Sequence, residues 1–182
     1  MQTSPDFMQL CFVVEDLEAA MANFTATFGA GPWFVSSGFS PGEDPTLYRG
    51  QPAPLETDIA LGYAGGMMFE LACPRPASRS IFREVADENG FGLHHLGFGV
   101  NDFETAMAAL AERHVEVLTT SVTPRGARIA MFAAGSPTNL LHEYIEILPA
   151  SRRFYAFMQE AARTWDSRTL CFDGTMPDFS TD

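Results

Sequence analysis

Four polar side chains stand where β-strands should be apolar: Gln9, Glu70, His95 and Glu146. Gln9 opens the run Gln9-Leu-Cys-Phe-Val-Val and His95 opens His95-Leu-Gly-Phe-Gly-Val. Glu70 lies within Met67-Met-Phe-Glu-Leu-Ala, and Glu146 within Tyr144-Ile-Glu-Ile-Leu. A carboxylate in an apolar strand is costly to bury unless it is paired or bound to a metal. Taken singly, a strand Glu usually faces water and a strand His is more often structural than a ligand. Together, one imidazole, one amide and two carboxylates form a donor set for a divalent metal (Zn, Ni, Co or Mn) with room for waters. Glu146 and Glu70 would also serve as base and conjugate acid in a proton transfer.

Side chains alternate along a strand, so Gln9 shares a face with Cys11 and Val13, and His95 with Gly97 and Gly99. The opposite face (Leu10, Phe12, Val14; Leu96, Phe98, Val100) is the one to pack on helices, which turns Gln9 and His95 into the concave face of a curved sheet. Gly97 and Gly99 are then expected to leave open space beside His95 for a ligand. The same count sets His142, Tyr144 and Leu148 beside Glu146. Tyr144, His142 and Cys11 are therefore substrate-binding candidates, with core packing the alternative for Cys11. Arg128, in phase with Ala130 and Phe132, would hold a substrate carboxylate or carbonyl if its face is the cup, and is a solvated arginine otherwise. Trp33, Phe34 and Tyr48 point to an apolar or aromatic small-molecule substrate.

The elements that must position these residues come in two copies. Residues 9–22 and 95–108 lie 86 apart and agree at Leu10/Leu96, Phe12/Phe98, Val14/Val100, Asp16/Asp102, Glu18/Glu104, Ala20/Ala106, Met21/Met107 and Ala22/Ala108. Chance would supply about one identity, so duplication is the economical reading. In each copy a β-like run is followed by helical spacing over 16–28 and 102–113, with Asp16 and Asp102 at the N-cap. A Pro/Gly-rich stretch spans 36–56, and strands follow at 57–64 and 67–73. The second copy places strands at 115–120, 127–134 and 140–148, with breaks at Pro124-Arg-Gly and Gly135-Ser-Pro. The order is βαβββ twice. This predicts an α+β fold of two tandem βαβββ modules (7–76 and 93–149), joined by a helical linker (77–92) and followed by a C-terminal helix and tail (150–182). The two modules would form a curved mixed-sheet cup. The stripe Phe154, Phe157, Met158, Ala161, Ala162, Trp165 would pack on the sheet or on a second subunit, and with the sheet edges it suggests a homodimer.

Composition narrows the function. The chain has 182 residues, 46% of them apolar, and a net charge of −12. All 11 basic residues are arginine, so no Schiff-base lysine exists. Such an acidic surface makes nucleic acid and anionic membranes poor partners. The N-terminal residues carry neither a basic n-region nor a long apolar run, and three scattered cysteines make no disulfide framework. A cytoplasmic protein is expected.

Paired βαβββ modules with His or Gln opening each first strand and Glu in each last strand resemble the vicinal oxygen chelate, or glyoxalase/bleomycin-resistance, superfamily over residues 7–149. The ligand order Gln9, Glu70, His95, Glu146 is similar to that of glyoxalase I, and the whole chain is most similar to the epimerase-like branch. Val13 and Pro74 stand where glyoxalase I has its glutathione-contacting residues, so a glutathione substrate is not implied. The resemblance implies a metal-dependent isomerase, epimerase or lyase working through a chelated enolate or enediolate. The alternatives are an extradiol-type ring-cleaving dioxygenase and a metal-free binding protein of the same fold.

Overall fold

The computed structural model describes residues 5–39, 46–54, 56–123, 125–133, 135 and 140–179. Its elements are β1 (Asp6–Val13), α1 (Leu17–Phe28), β2 (Phe34–Phe39), β3 (Leu47–Tyr48), β4 (Gln51–Pro52), β5 (Thr57–Ala64), β6 (Met67–Pro74), α2 (Ile81–Asn89), β7 (Gly92–Val100), α3 (Phe103–Glu112), β8 (Val117–Val122), β9 (Arg128–Ala133), β10 (Leu141–Glu146) and α4 (Pro149–Thr164). All ten strands join one mixed sheet in the order β2-β5-β6-β1-β7-β10-β9-β8-β3-β4. The fold is α+β. Of the expected breaks, Pro124, Ser136 and Pro137 lie outside the described residues, as do 40–45 and 55 of the Pro/Gly-rich stretch and residue 134 of the expected strand 127–134.

The two copies meet at the middle of the sheet, where β1 runs antiparallel to β7 and each pairs on its other side with a parallel strand, β6 or β10. Each first helix starts at the expected aspartate: Asp16 accepts from Ala19 N–H and Asp102 from Thr105 N–H, both at 3.0 Å. Such caps satisfy donors the helix cannot satisfy internally. One finding departs from the sequence reading. The stretch after β2 contributes β3 and β4, and β3 crosses to pair with β8 of the second copy.

Alternation assigns the faces. Leu10, Phe12, Phe69 and Leu71 pack under α1 through Met21 and Phe24. Val100, Ala130 and Tyr144 pack under α3 through Phe103, Ala106 and Met107. The inner face is filled from two ends. At one end α2 inserts Ile81 and Phe82 among Cys11, Val13, Ala72, Met131 and Leu141, tying both copies together. At the other end α4 sets Phe154 and Met158 against Phe34, Tyr63 and Met68. Each such buried side chain is worth about 1.5–3 kcal/mol. The apolar stripe of α4 is thereby covered within the chain. The segment after α4 returns along β2: Trp33 N–H donates to Leu170 O at 3.0 Å, Phe172 N–H donates to Trp33 O at 2.9 Å, and the Phe172 ring stacks on Phe34. Among the described residues no helix is long and apolar enough to cross a membrane.

Candidate metal centre

Between the two plugs, four strands aim polar side chains at one point. Gln9 comes from β1, Glu70 from β6, His95 from β7 and Glu143 from β10; they are 2%, 7%, 0% and 3% exposed. The Gln9 Nε2 lies 2.6 Å from Glu70 Oε2, 3.4 Å from His95 Nε2 and 3.4 Å from Glu143 Oε2. His95 Nε2 is 3.2 Å from Glu143 Oε2. One ligand atom each from Glu70, His95 and Glu143 falls within 4.8 Å of the others.

Glu146 is not part of this group. In β10, Leu141 pairs with His95, Glu143 with Gly97 and Ile145 with Gly99, so the odd residues share the face of His95. Glu146 pairs with Val100 and faces the α3 side, where Arg128 grips it through Nε (3.0 Å to Oε2) and Nη2 (2.7 Å to Oε1). This fork holds the Glu146 carboxyl below its usual range, with burial opposing only in part. Arg128 therefore faces out as well, over the Phe103 ring and beside Glu104. His142 and Tyr144 share that outer face: His142 packs on Phe98 and Phe132, and Tyr144 on Phe132. None of the four lines the cup. Cys11 points inward as expected but lies behind the centre in the α2 core, its Sγ 3.5 Å from Glu70 Oε1. Burial first, and then Glu70 and Glu143, push its thiol well above its ordinary value, which keeps it an unreactive packing group. Gly97 and Gly99 leave no open space: a Cβ on Gly97 would meet Gln9, and one on Gly99 would meet Ile147 and Met8. Of the three aromatics, Phe34 reaches the cavity; Trp33 is buried near α1, and Tyr48 is tied to Glu84.

Two contributors were missed. Glu143 carries a signal of its own, because Leu141-x-Glu143-x-Ile145 repeats the apolar-Glu-apolar alternation of Met68-x-Glu70-x-Ala72. His94 is the other. Its Nε2 meets the Ile81 carbonyl at 3.4 Å and its Nδ1 meets His95 Nδ1 at 2.8 Å. A carbonyl only accepts, so His94 carries its proton on Nε2, its Nδ1 accepts, and His95 Nδ1 donates. Burial and then His95 push His94 down to about 3, keeping it neutral. The relay leaves His95 Nε2 as the atom turned to the carboxylates, an orientation typical of a second residue fixing a ligating imidazole.

The charges need a partner. Burial, and then the negative Glu143, push Glu70 up to about 7. Burial opposes protonation of His95, but Glu143 and then Glu70 outweigh it and raise the imidazole. Among the described residues no arginine forms an ion pair with Glu70 or Glu143. Two buried carboxylates with one imidazole suit a divalent cation by charge and by donor type. Glu70, Glu143, His95 Nε2 and the Gln9 amide oxygen would hold it; Gln9 must turn its amide over to offer that oxygen. The grouping of Cys11 with His94 and His95 does not compete, since both Nδ1 atoms are engaged with each other.

A cavity of about 270 Å³ opens over the centre. Gln9, Glu70 and Glu143 form its polar floor, and its walls include Phe34, Ile59, Leu61, Phe82, Ile145 and Phe154. His95, fully buried, sits behind that floor. Such a mostly apolar cup with a few convergent polar groups is the ordinary form of a small-molecule site.

Comparison with known proteins agrees with this architecture. The sequence model of the Glyoxalase/Bleomycin resistance protein/Dioxygenase superfamily matches residues 8–132. Among solved structures, hypothetical protein BH1468 from Bacillus halodurans C-125 superposes with a TM-score of 0.60 at 18% identity, covering 80% of this chain and 96% of that one. Methylmalonyl-CoA epimerase from Mycobacterium tuberculosis gives 0.59 at 18% identity, with 86% and 97% covered. A Streptomyces coelicolor methylmalonyl-CoA epimerase variant gives 0.52 at 21% identity, with 78% and 96% covered. No curated protein matches the chain by sequence.

Proposed function

The chain belongs to the Glyoxalase/Bleomycin resistance protein/Dioxygenase superfamily, and from that premise we propose that it is a divalent-metal-dependent isomerase, epimerase or lyase. It moves a proton alpha to a carbonyl of a small molecule held in the cup. The observation that carries this reading is the convergence of Gln9, Glu70, His95 and Glu143 beneath a mostly apolar cavity. A divalent metal held by Gln9, Glu70, His95 and Glu143 would supply Lewis-acid polarisation of a substrate carbonyl, worth on the order of several kcal/mol in the transition state. Glu70 and Glu143 line the cavity while His95 does not, so carboxylates are the acid–base groups that meet the substrate. One carboxylate, ionised and swung off the metal, accepts the alpha proton, while the other, entering the step protonated, donates its own proton from the opposite side and is left ionised, as an epimerisation or proton shift requires. The apolar walls exclude water and orient the body of the substrate. Enolisable aromatic ketones suit them, as do α-branched acyl thioesters of the kind that the epimerase neighbours' name specifies.

The single imidazole at the centre disfavours an iron-dependent ring-cleaving dioxygenase, whose usual donor set has two histidines and one carboxylate. The test combines metal analysis with isotope exchange. Protein purified without chelator should hold near-stoichiometric metal and exchange the alpha-proton of 2-hydroxy ketones or α-branched acyl thioesters with deuterated water. Glu143→Gln should slow exchange by about two to four orders of magnitude, whereas Glu146→Gln should match the wild type. Protein that stays metal-free and resists loading, oxygen consumption during turnover, or undiminished exchange in Glu143→Gln would overturn the proposal.

A further inference from the structure

The mouth of the cup carries a cation that pairs with no carboxylate among the described residues. Arg125, just before β9, lines the cavity, and its guanidinium lies 3.7 Å above the Phe154 ring of α4. Among the described residues no Asp or Glu forms an ion pair with it, although the chain carries 23 acidic residues against 11 arginines. Six of the 11 arginines do pair with a carboxylate among the described residues: Arg49, Arg75, Arg83, Arg128, Arg163 and Arg168.

A second, independent feature stands at the same rim. Helix α4 begins at Leu148 with Pro149 in its first turn, and no side chain accepts from its first-turn N–H groups. The other three helices begin at Asp16, Ser80 and Asp102, each with a side-chain cap and a Glu in the first turn; α4 has no acidic residue there. The positive end of a 16-residue helix is thus left uncompensated. Ser151, in that first turn, lines the cavity, is 3% exposed, and its hydroxyl makes no hydrogen bond within the described residues. The chain just before β9 lies close to this turn: a Cβ on Gly126 would come within 4.0 Å of Leu148. The Ser151 hydroxyl facing the cavity, the uncapped helix N-terminus and the Arg125 guanidinium each donate to the same kind of acceptor.

We propose that this rim is an anion subsite, in which Arg125, the Ser151 hydroxyl and the first turn of α4 bind a terminal oxyanion of the substrate. Its apolar body lies against Phe34, Leu61 and Phe154, and its reacting carbonyl end reaches the floor of Gln9, Glu70 and Glu143. The substrate class is an apolar or aromatic carbonyl compound bearing a carboxylate or phosphate remote from the reacting carbon. This rests on the reading of the cup as the substrate site and deepens it. It also explains how a chain of net charge −12 retains an anion in the same cup as two carboxylates: the attraction to Arg125 and the helix N-terminus is local and short-ranged.

The test uses three probes with one aromatic body: 1-naphthylacetate, 1-naphthyl phosphate and the neutral 1-naphthylacetamide. Each is titrated calorimetrically into the wild-type protein in EDTA at pH 7.5. At least one anion should bind tenfold or more tightly than the amide, and the tighter one identifies carboxylate or phosphate as the group recognised. Arg125→Gln should erase that preference while leaving amide affinity within about twofold, and Arg125→Lys should restore part of it. Equal affinity for all three probes, no binding by any, or an anion preference that survives Arg125→Gln would overturn the subsite. With chelator present these titrations involve no metal. Failure here leaves the metal-centre reading standing, and a protein that proves metal-free can still show the anion preference.

Discussion

Glu70 and Glu143 are negative groups placed where water cannot stabilise them, and the centre answers by holding protons. Without metal, Glu70 keeps its proton up to about pH 7, because burial and then Glu143 oppose its ionisation. His95 is also held above its ordinary value, the two carboxylates outweighing burial. A metal requires both groups unprotonated, so binding must expel what they hold. The sign follows directly: as pH falls below about 7 each proton becomes harder to displace, and affinity weakens. We expect the dissociation constant to rise by up to about two decades per pH unit below pH 7, with Glu70→Gln losing about one decade of that slope. A chromogenic-chelator competition between pH 5.5 and 8 measures it, and a flat profile across that range would contradict the donor set. At this scale the sequence was legible in type but not in phase. Gln9, Glu70 and His95 were recognisable as polar intrusions into apolar strands. The sequence points to Glu146 in place of Glu143 because either glutamate fits an alternating run, and an offset of three reverses the face. The same offset of three separates Arg128, which grips Glu146 outside, from Arg125, which overlooks the cup.

Register, a property of paired strands, is what resolves that ambiguity. Leu141 opposite His95 fixes β10, and Gln9 opposite Gly97 fixes β1. The second pairing also explains the glycine. A Cβ on Gly97 would lie 2.8 Å from Gln9 Cβ and 3.4 Å from its Cγ and Cδ, closer than side-chain atoms tolerate. Gly97 thus admits the Gln9 side chain to the centre by close approach of two strands, where the sequence suggested open space for ligand. Gly97→Ala should displace the Gln9 amide and weaken metal binding about tenfold or more, the range expected when a ligand is misplaced. Gly66→Ala, in the β5–β6 turn with nothing within 4 Å of the added atom, should leave metal affinity unchanged. Equal affinities in the two variants, measured by the same competition titration, would show that Gln9 does not contribute. Elements governed by local chemistry were readable in advance, as the capped starts of α1 and α3 illustrate. The β3–β4 excursion was not, because its partner β8 lies some 70 residues further along and only tertiary pairing creates that edge.

The whole molecule is divided and rejoined at its centre. Gln9 and Glu70 come from the first copy, His95 and Glu143 from the second, and the sheet joins the copies where β1 pairs with β7 beside the centre and where β3 crosses to β8. An ion held by all four side chains therefore ties the two copies across their junction, alongside the apolar contacts of α2. Ligand linkage sets the size of the effect. A metal at a hundredfold over its dissociation constant stabilises the native state by about 2.7 kcal/mol, provided the unfolded chain does not bind it. For a chain of this length about 1 kcal/mol moves the melting temperature by roughly 2–4 °C. Removing metal with EDTA should then lower the midpoint by about 5–10 °C, and restoring it should reverse the change. Because β1–β7, β3–β8 and the α2 core also join the copies, the transition should remain single with and without metal, with no separate melting of one copy. Glu143→Gln should melt close to the EDTA-treated wild type and respond little to added metal, whereas Glu146→Gln should retain the shift. Differential scanning calorimetry with and without EDTA distinguishes the outcomes: an unchanged midpoint in the wild type would remove the metal as a tie between the copies.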